Sequence, residues 1–226
     1  LVWKSDTLTM NPSFDREKIE RAMKEDPAIA RAEYYSEFRD EAAALLDSAL
    51  YDACAVLETG ERPVDFDLKG YGYHGFIDPS GGLNDGFGLS ICHVEERASK
   101  SGRGQFKVVV CDVVKAWPAP FSPPIVVIEA AALLHRYGVD TVHADRYAGQ
   151  WPVELFRSEG VLVKPSEADA SELYLGFMAA VNGGQVELPA DKRLRSQFLS
   201  LTRRASTTGK DRVTAPRGAA GHADAA

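Results

Sequence analysis

Two aspartates stand where apolar, strand-like runs end. Asp78 closes His74-Gly-Phe-Ile-Asp78, and Asp145 closes Thr141-Val-His-Ala-Asp145. Open α/β sheets collect their sites at the carboxyl ends of strands. Neighbouring strands lie about 4.8 Å apart, and two carboxylates held that close raise each other's pKa unless a cation sits between them. Their hard oxygens suit Mg²⁺ or Mn²⁺. Two such ions roughly 3.5–4 Å apart can activate a water and stabilise the leaving oxygen in phosphodiester cleavage. That cage calls for a third acid, and four aspartates compete for the place. Asp85 follows Ser80-Gly-Gly-Leu-Asn in the loop beside Asp78, Asp112 ends a third apolar run, and Asp224 lies in Gly221-His-Ala-Asp224. Asp140 starts its strand and falls at the wrong edge. The same residues also have a purely structural reading: Asp78-Pro-Ser-Gly-Gly is good turn chemistry, and Asp145 beside Arg146 suits an ion pair or a helix cap.

The elements that must position these acids follow from the pattern. Runs at 74–78, 87–94 and 105–114 read as strands joined by short links, with 95–104 as a hairpin connection. Pro123 to Tyr137 reads as a helix with proline in its first turn, closed by Gly138. A strand follows at 141–145, a helix at 152–158 closed by Gly160, a strand at 161–164, a helix at 168–181, a short extended piece at 185–188 and a helix at 192–204. The first three strands can form an antiparallel meander, whereas the later ones need helical crossovers and so pair in parallel. Residues 15–60 read as helical, with Ser13 or Asp15 as a cap, paired charges at Glu17/Arg21 and Glu20/Lys24, and an interruption at Pro27. Domain limits of 1–65, a helical linker or appendage, and 66–226, the sheet-bearing domain, follow from this change of pattern.

The chain has 226 residues, 45% hydrophobic and 26% charged, enough for one α/β domain with an appendage. No apolar run approaches the roughly 20 residues of a membrane helix. The first residues, Leu1-Val-Trp-Lys, carry neither an initiator methionine nor a signal pattern, as in a piece of a longer protein. Cys54, Cys92 and Cys111 are far apart and odd in number, which argues against a disulfide scaffold or structural zinc and fits a reducing cytosol. Phosphate-loop, zinc-protease and nucleophile-elbow motifs are all absent, and the histidines show no ligand spacing. A net charge of −7 argues weakly against nucleic acid, but its distribution is uneven. From Lys192 to Arg217 the basic residues are Lys192, Arg193, Arg195, Arg203, Arg204, Lys210, Arg212 and Arg217, against the single acid Asp211. Such a stretch can face phosphates or simply be solvated.

Several segments together resemble the nuclease domain of phage terminase large subunits. Phe76-Ile-Asp-Pro-Ser-Gly-Gly-Leu-Asn-Asp85-Gly-Phe-Gly-Leu-Ser-Ile-Cys-His93 is similar to the first nuclease motif, and Asp145-Arg-Tyr-Ala-Gly-Gln-Trp-Pro-Val-Glu-Leu-Phe156 to the second acidic motif. Ser171-Glu-Leu-Tyr-Leu, Val186-Glu-Leu-Pro and Leu194-Arg-Ser-Gln-Phe-Leu-Ser-Leu-Thr-Arg-Arg204 continue in the family's order. Lys210-Asp-Arg-Val and Gly221-His-Ala-Asp224 resemble its C-terminal acidic motif, and Thr9-Met-Asn-Pro12 and Glu33-Tyr-Tyr-Ser-Glu-Phe38 the stretch joining motor to nuclease. The resemblance implies a ribonuclease-H-like mixed α/β sheet and an endonuclease that cuts concatemeric DNA during genome packaging in the cytoplasm of a bacterial host. It implies two Mg²⁺ or Mn²⁺ ions, with Asp78 bridging both, Asp145 holding one and Asp224 the other. His222 would assist near the scissile phosphate, and Asp85 would support the ligands. Arg146, Lys192, Arg193, Arg203, Arg204, Lys210 and Arg212 would contact DNA. A missing ATPase domain would precede the appendage. The full protein would work with a small terminase subunit and a portal, the isolated domain being monomeric. One departure matters: the family commonly reads Gly-His-Asp-Asp where this chain has Ala223. If the first of those acids is the ligand, the chain is a catalytically impaired, DNA-clamping or motor-coupling module. Another ribonuclease-H-like enzyme, of resolvase or transposase type, is the remaining alternative.

Overall fold

The computed structural model describes residues 4–37, 42–68, 72–98, 104–145, 151–204 and 211–215. Three helices come first: α1 (Thr7–Met10), α2 (Arg16–Glu25) and α3 (Pro27–Tyr35). Asp15 caps α2 through a bond from the Glu17 amide, at 2.9 Å. Asp26 ends α2 and begins α3, accepting from the Ala28 and Ile29 amides while Pro27 fills the first helical position. A proline there loses no intrahelical bond, so one Asp-Pro pair makes the corner.

The region expected to continue as helix does not. Strand β1 (Ala42–Ala44) and the short helix α4 (Ser48–Cys54) follow instead. Alanine favours helices only weakly as a prior, and tertiary pairing overrides it: β1 is claimed by β8 (Thr202–Arg204), in the register Ala42↔Arg204, Ala43↔Arg203 and Ala44↔Thr202. Strand β9 (Arg212–Thr214) completes a three-stranded sheet. The last helix is correspondingly shorter than expected. Helix α8 (Lys192–Ser200) stops before the β8 residues, which the sequence pattern had run on as helix.

The larger sheet carries the expected design. Strands β2 (Tyr73–Asp78), β3 (Phe87–Ala98) and β4 (Gln105–Trp117) form an antiparallel meander. Helix α5 (Pro123–Tyr137) crosses back to β5 (Thr141–Ala144), which lies parallel to β2. Helix α6 (Trp151–Ser158) leads to β6 (Leu162–Pro165), parallel to β5. Helix α7 (Ala170–Asn182), opened by an Asp169/Glu172 capping box, leads to β7 (Val186–Glu187), parallel to β4. The order across the sheet is β6-β5-β2-β3-β4-β7.

Two cores hold this together. One lies between α5 and the sheet, where Ile77, Phe87, Leu89, Ile91, Val113, Val126, Leu134, Tyr137, Val142 and Phe156 are buried. Gly75 lets α5 approach β2, because a Cβ there would stand 3.0 Å from both Leu134 and Val142. The other gathers Leu45, Leu46, Tyr51 and Cys54 with Cys111, Met178, Val181, Leu188, Leu194, Phe198 and Leu201. Residues 45–54, placed by pattern in the appendage, thus share a core with α7 and α8. Among the described residues no helix is long and apolar enough to cross a membrane.

Candidate metal centre

The parallel pairing of β2 and β5 decides where the two acids stand. The register runs Gly75↔Val142, Phe76↔His143 and Ile77↔Ala144. Asp78 and Asp145 are the next residue on each strand, so they leave the sheet side by side at its carboxyl edge. Along β2, Tyr73, Gly75 and Ile77 are buried while His74 and Asp78 are exposed. Asp145 is half-buried directly after Ala144, which is 1% exposed. Adjacent strands set the carboxylate-bearing backbones about 4.8 Å apart. Hard anionic donors on neighbouring strands at one edge are of the kind that holds a divalent cation.

The loop from Pro79 to Gly86 is folded tightly over this edge. The Ser80 hydroxyl donates to the Asp85 carbonyl at 2.6 Å, and the Phe121 amide donates to the Gly82 carbonyl at 2.9 Å. Gly82 has φ of +78°, and a Cβ there would meet the Phe121 carbonyl at 2.5 Å. Only glycine tolerates both the backbone and the approach. The Gly81-Gly82 pair was visible in the sequence as a turn. Its tie to Phe121, which anchors the loop to the segment entering α5, was not.

The candidates for a third acid separate cleanly. Asp140 lies at the opposite end of β5, its carbonyl accepting from the Leu162 amide. Asp112 does not end its strand but sits inside β4. Ile91 pairs with Val113 and Cys92 with Cys111, leaving Asp112 as the extra residue of a β-bulge. Bulges re-aim side chains, and here Asp112, 2% exposed, meets His93 with Oδ2 2.6 Å from Nδ1. Arg62 lies 3.3 Å from the other Asp112 oxygen. Burial pushes the Asp112 carboxyl above its ordinary pKa, against the opposing pull of His93 and Arg62. On the far side of His93, Glu95 and Glu187 share Arg97, whose bonds hold both carboxyls below their usual range. This network, buried at Asp112 and His93 and opening to the surface at Arg62, Glu95 and Arg97, belongs to the scaffold, away from Asp78. Asp85 lies in the loop after Asp78, its carbonyl held by Ser80, and Asp224 and His222 lie outside the described residues. Among the described residues no trio of His, Cys, Asp or Glu is gathered to hold a metal.

No protein-family profile matches the chain, and no curated protein does. Solved structures do. The large terminase nuclease of thermophilic phage G20c superposes with a TM-score of 0.57 at 19% identity, over 80% of this chain and 92% of that one. The same nuclease with bound magnesium gives 0.56 at 18% identity, over 80% and 91%. The large terminase of thermophilic bacteriophage D6E gives 0.65 at 14% identity, over 92% of this chain and 50% of that one. The HK97 bacteriophage large terminase gives 0.59 at 11% identity, over 96% and 51%. The chain shares the ribonuclease-H-like fold of these large-terminase nuclease domains. The chain spans about half the length of the D6E and HK97 large terminases that it matches.

Within this fold, the described basic residues fall into three groups. Lys192 and Arg193 stand exposed on the first turn of α8. Arg204 and Arg212 are exposed and face each other across β8 and β9. Like charges directly opposed on a sheet repel, so this pair would be relieved by an anion. Arg203 corrects the expectation of a phosphate contact. It is 6% exposed, with Nη2 2.6 Å from Asp26 and Nε 2.6 Å from Asp211. Alternation along β8 turns it inward between two carboxylates, where it ties the segment joining α2 and α3 to the small sheet. Arg146 and Lys210 lie outside the described residues.

Proposed function

We propose that this chain is the metal-dependent DNA endonuclease domain of a phage or prophage terminase large subunit. The observation that carries the reading is the register of β2 and β5, which brings Asp78 and Asp145 out together at the carboxyl edge of a terminase-nuclease fold. The magnesium-bound G20c nuclease supports the choice of a divalent metal. In this reading Asp78, Asp145 and Asp224 would hold two Mg²⁺ or Mn²⁺ ions, with Asp85 supporting the ligands. Bound there, such ions supply a water of lowered pKa and Lewis acidity toward the phosphodiester. The chain's own contribution is to hold anionic oxygens at a fixed edge. The loop pinned by Gly82 and Phe121 keeps Asp78 and Asp85 in place, and His222 attends the scissile phosphate. Arg146, Lys192, Arg193, Arg204, Lys210 and Arg212 draw in the DNA backbone, double-stranded DNA being the substrate. Limits of 1–65 for a linker and 66–226 for the nuclease, a small terminase subunit and portal as partners in the full protein, a monomeric isolated domain, and the cytoplasm of a bacterial host complete the proposal.

The test is cleavage of supercoiled plasmid by the purified chain with Mg²⁺ or Mn²⁺, beside EDTA. Nicking and linearisation should require metal, and Asp78→Asn or Asp145→Asn should lower the rate more than about 100-fold while leaving the circular dichroism spectrum unchanged. Disturbing the groups behind a metal ligand already costs roughly 10–100-fold, and these substitutions alter the ligands themselves. Metal-independent cleavage, or full activity in both variants, would sink the assignment. Gly221-His-Ala-Asp224 favours one second reading, an impaired DNA-clamping or motor-coupling module. A folded chain that binds DNA but never cuts it, and cuts once Ala223→Asp is made, would select that reading. Strand transfer or a preference for junctions would point instead to a resolvase or transposase type.

A further inference from the structure

Cys92 and Cys111 are separated by 18 residues in sequence and are directly opposed across β3 and β4. Opposed residues in an antiparallel pair present their side chains on the same face. Both thiols belong to the second core, Cys111 buried at 5% exposure and Cys92 half-buried at its margin. Opposed Cα atoms lie about 4.5 or 5.5 Å apart, depending on the hydrogen-bonding class of the pair. Both values fall inside the range of about 4.4–6.8 Å that a disulfide spans. The neighbouring Cys92 thiol, with burial adding to it, pushes the Cys111 thiol well above its ordinary pKa, and the Cys111 thiol donates to the Val113 carbonyl at 3.6 Å. Cys54, the third cysteine, lies buried in α4.

We propose that Cys92 and Cys111 form a reversible cross-strand disulfide, a modification site for low-molecular-weight disulfides. The partly accessible Cys92, as thiolate, attacks one sulfur of the small disulfide RSSR. A Cys92–SR bond forms, the S–S bond breaks, and one RS⁻ leaves. Cys111, deprotonated in turn, attacks the Cys92 sulfur, forming the Cys92–Cys111 bond and expelling the second RS⁻. The two protein thiols give up two protons and two electrons, and RSSR becomes two RSH. The raised pKa of Cys111 makes the second step slow at neutral pH and faster as pH rises, because the thiolate is the attacking species. The bond would fasten β3 to β4 beside the bulge that presents Asp112 to His93.

The folded chain is incubated with oxidised glutathione at pH 8, quenched with acid, denatured and alkylated, and its thiols counted by mass. One free thiol of three, a mass lower by two hydrogens and a linked peptide pair containing residues 92 and 111 are expected, with dithiothreitol restoring all three thiols. Cys92→Ser, at the half-buried position, should give no internal disulfide under the same treatment, with circular dichroism confirming that it is folded. Three free thiols in the treated wild type, a glutathione adduct at Cys92 that never resolves, or an internal link persisting in Cys92→Ser would each overturn the proposal.

Discussion

At the residue scale the molecule separates acids by what surrounds them. Asp78 and Asp145 face outward at a strand edge, whereas Asp112 is enclosed with His93 and Arg62. Sequence placed Asp78 and Asp145 correctly at strand ends, because a short apolar run stopping at an acid marks both the strand and its direction. It misplaced Asp112, because a bulge leaves no trace in alternation when the residues on both sides are apolar. The buried carboxyl has a testable pH signature. Its pKa in the folded state lies above the ordinary 3.8, so its contribution to stability is full below about 3.8 and is lost as pH rises through the folded value. The stability difference between wild type and Asp112→Asn, measured by urea unfolding from pH 3.5 to 7, should therefore shift against the wild type as pH rises. A constant difference across that range would remove the buried carboxyl from the account. Arg203 and its neighbour make a second contrast. Arg203→Met leaves Asp26 and Asp211 facing each other without their cation, and should cost about 3–5 kcal/mol. Arg204→Ala, one residue along and exposed, should leave stability nearly unchanged. If Arg204 meets a phosphate, its removal should also reduce the salt dependence of DNA binding by about one ion.

At the element scale, most of the larger sheet was legible and the small sheet was not. Strands β2 to β6 announce themselves by apolar runs between turn residues, and α5 by its proline start and glycine stop. Strands β1 and β8 are three residues each, and their sequences, Ala-Ala-Ala and Thr-Arg-Arg, have nothing strand-like about them. They exist because each supplies the other's backbone partners, a reason that no local window contains. The loop between β2 and β3 follows Asp78 directly and is tied to Phe121. Gly82→Ala combines a left-handed backbone with a 2.5 Å approach to the Phe121 carbonyl. It should destabilise the fold by more than about 1 kcal/mol and lower metal-dependent cleavage by displacing the chain that follows Asp78. Unfolding curves and plasmid assays on the same preparation would show both losses. Cleavage unchanged in a destabilised variant would mean that the loop does not position the acids.

At the scale of the whole molecule, a net charge of −7 coexists with exposed basic residues on α8, β8 and β9. Binding to DNA through these groups should weaken steeply with salt, with log K falling linearly in log [salt]. A titration by fluorescence anisotropy between 50 and 200 mM salt would measure the slope, and a flat response would exclude phosphate contacts as the source of affinity. The architecture itself followed from the order of elements, since a meander followed by alternating helices and strands permits few arrangements.

The pairing of β1 with β8 joins residues 42–44 to residues 202–204. During synthesis from the amino end, β1 therefore emerges some 160 residues before its partner. Leu45 and Leu46, buried in the finished protein at 5% and 3% exposure, must meanwhile wait without most of the core that covers them. Pairings so distant in sequence slow folding and leave apolar segments open to wrong associations in the interval. A nascent chain halted after β5 would already have both Asp78 and Asp145 within a four-strand sheet, yet still display this unpaired stretch to chaperones. The two ends of the protein thus mature on different schedules, with the edge that carries Asp78 and Asp145 able to form before β1 finds its partner.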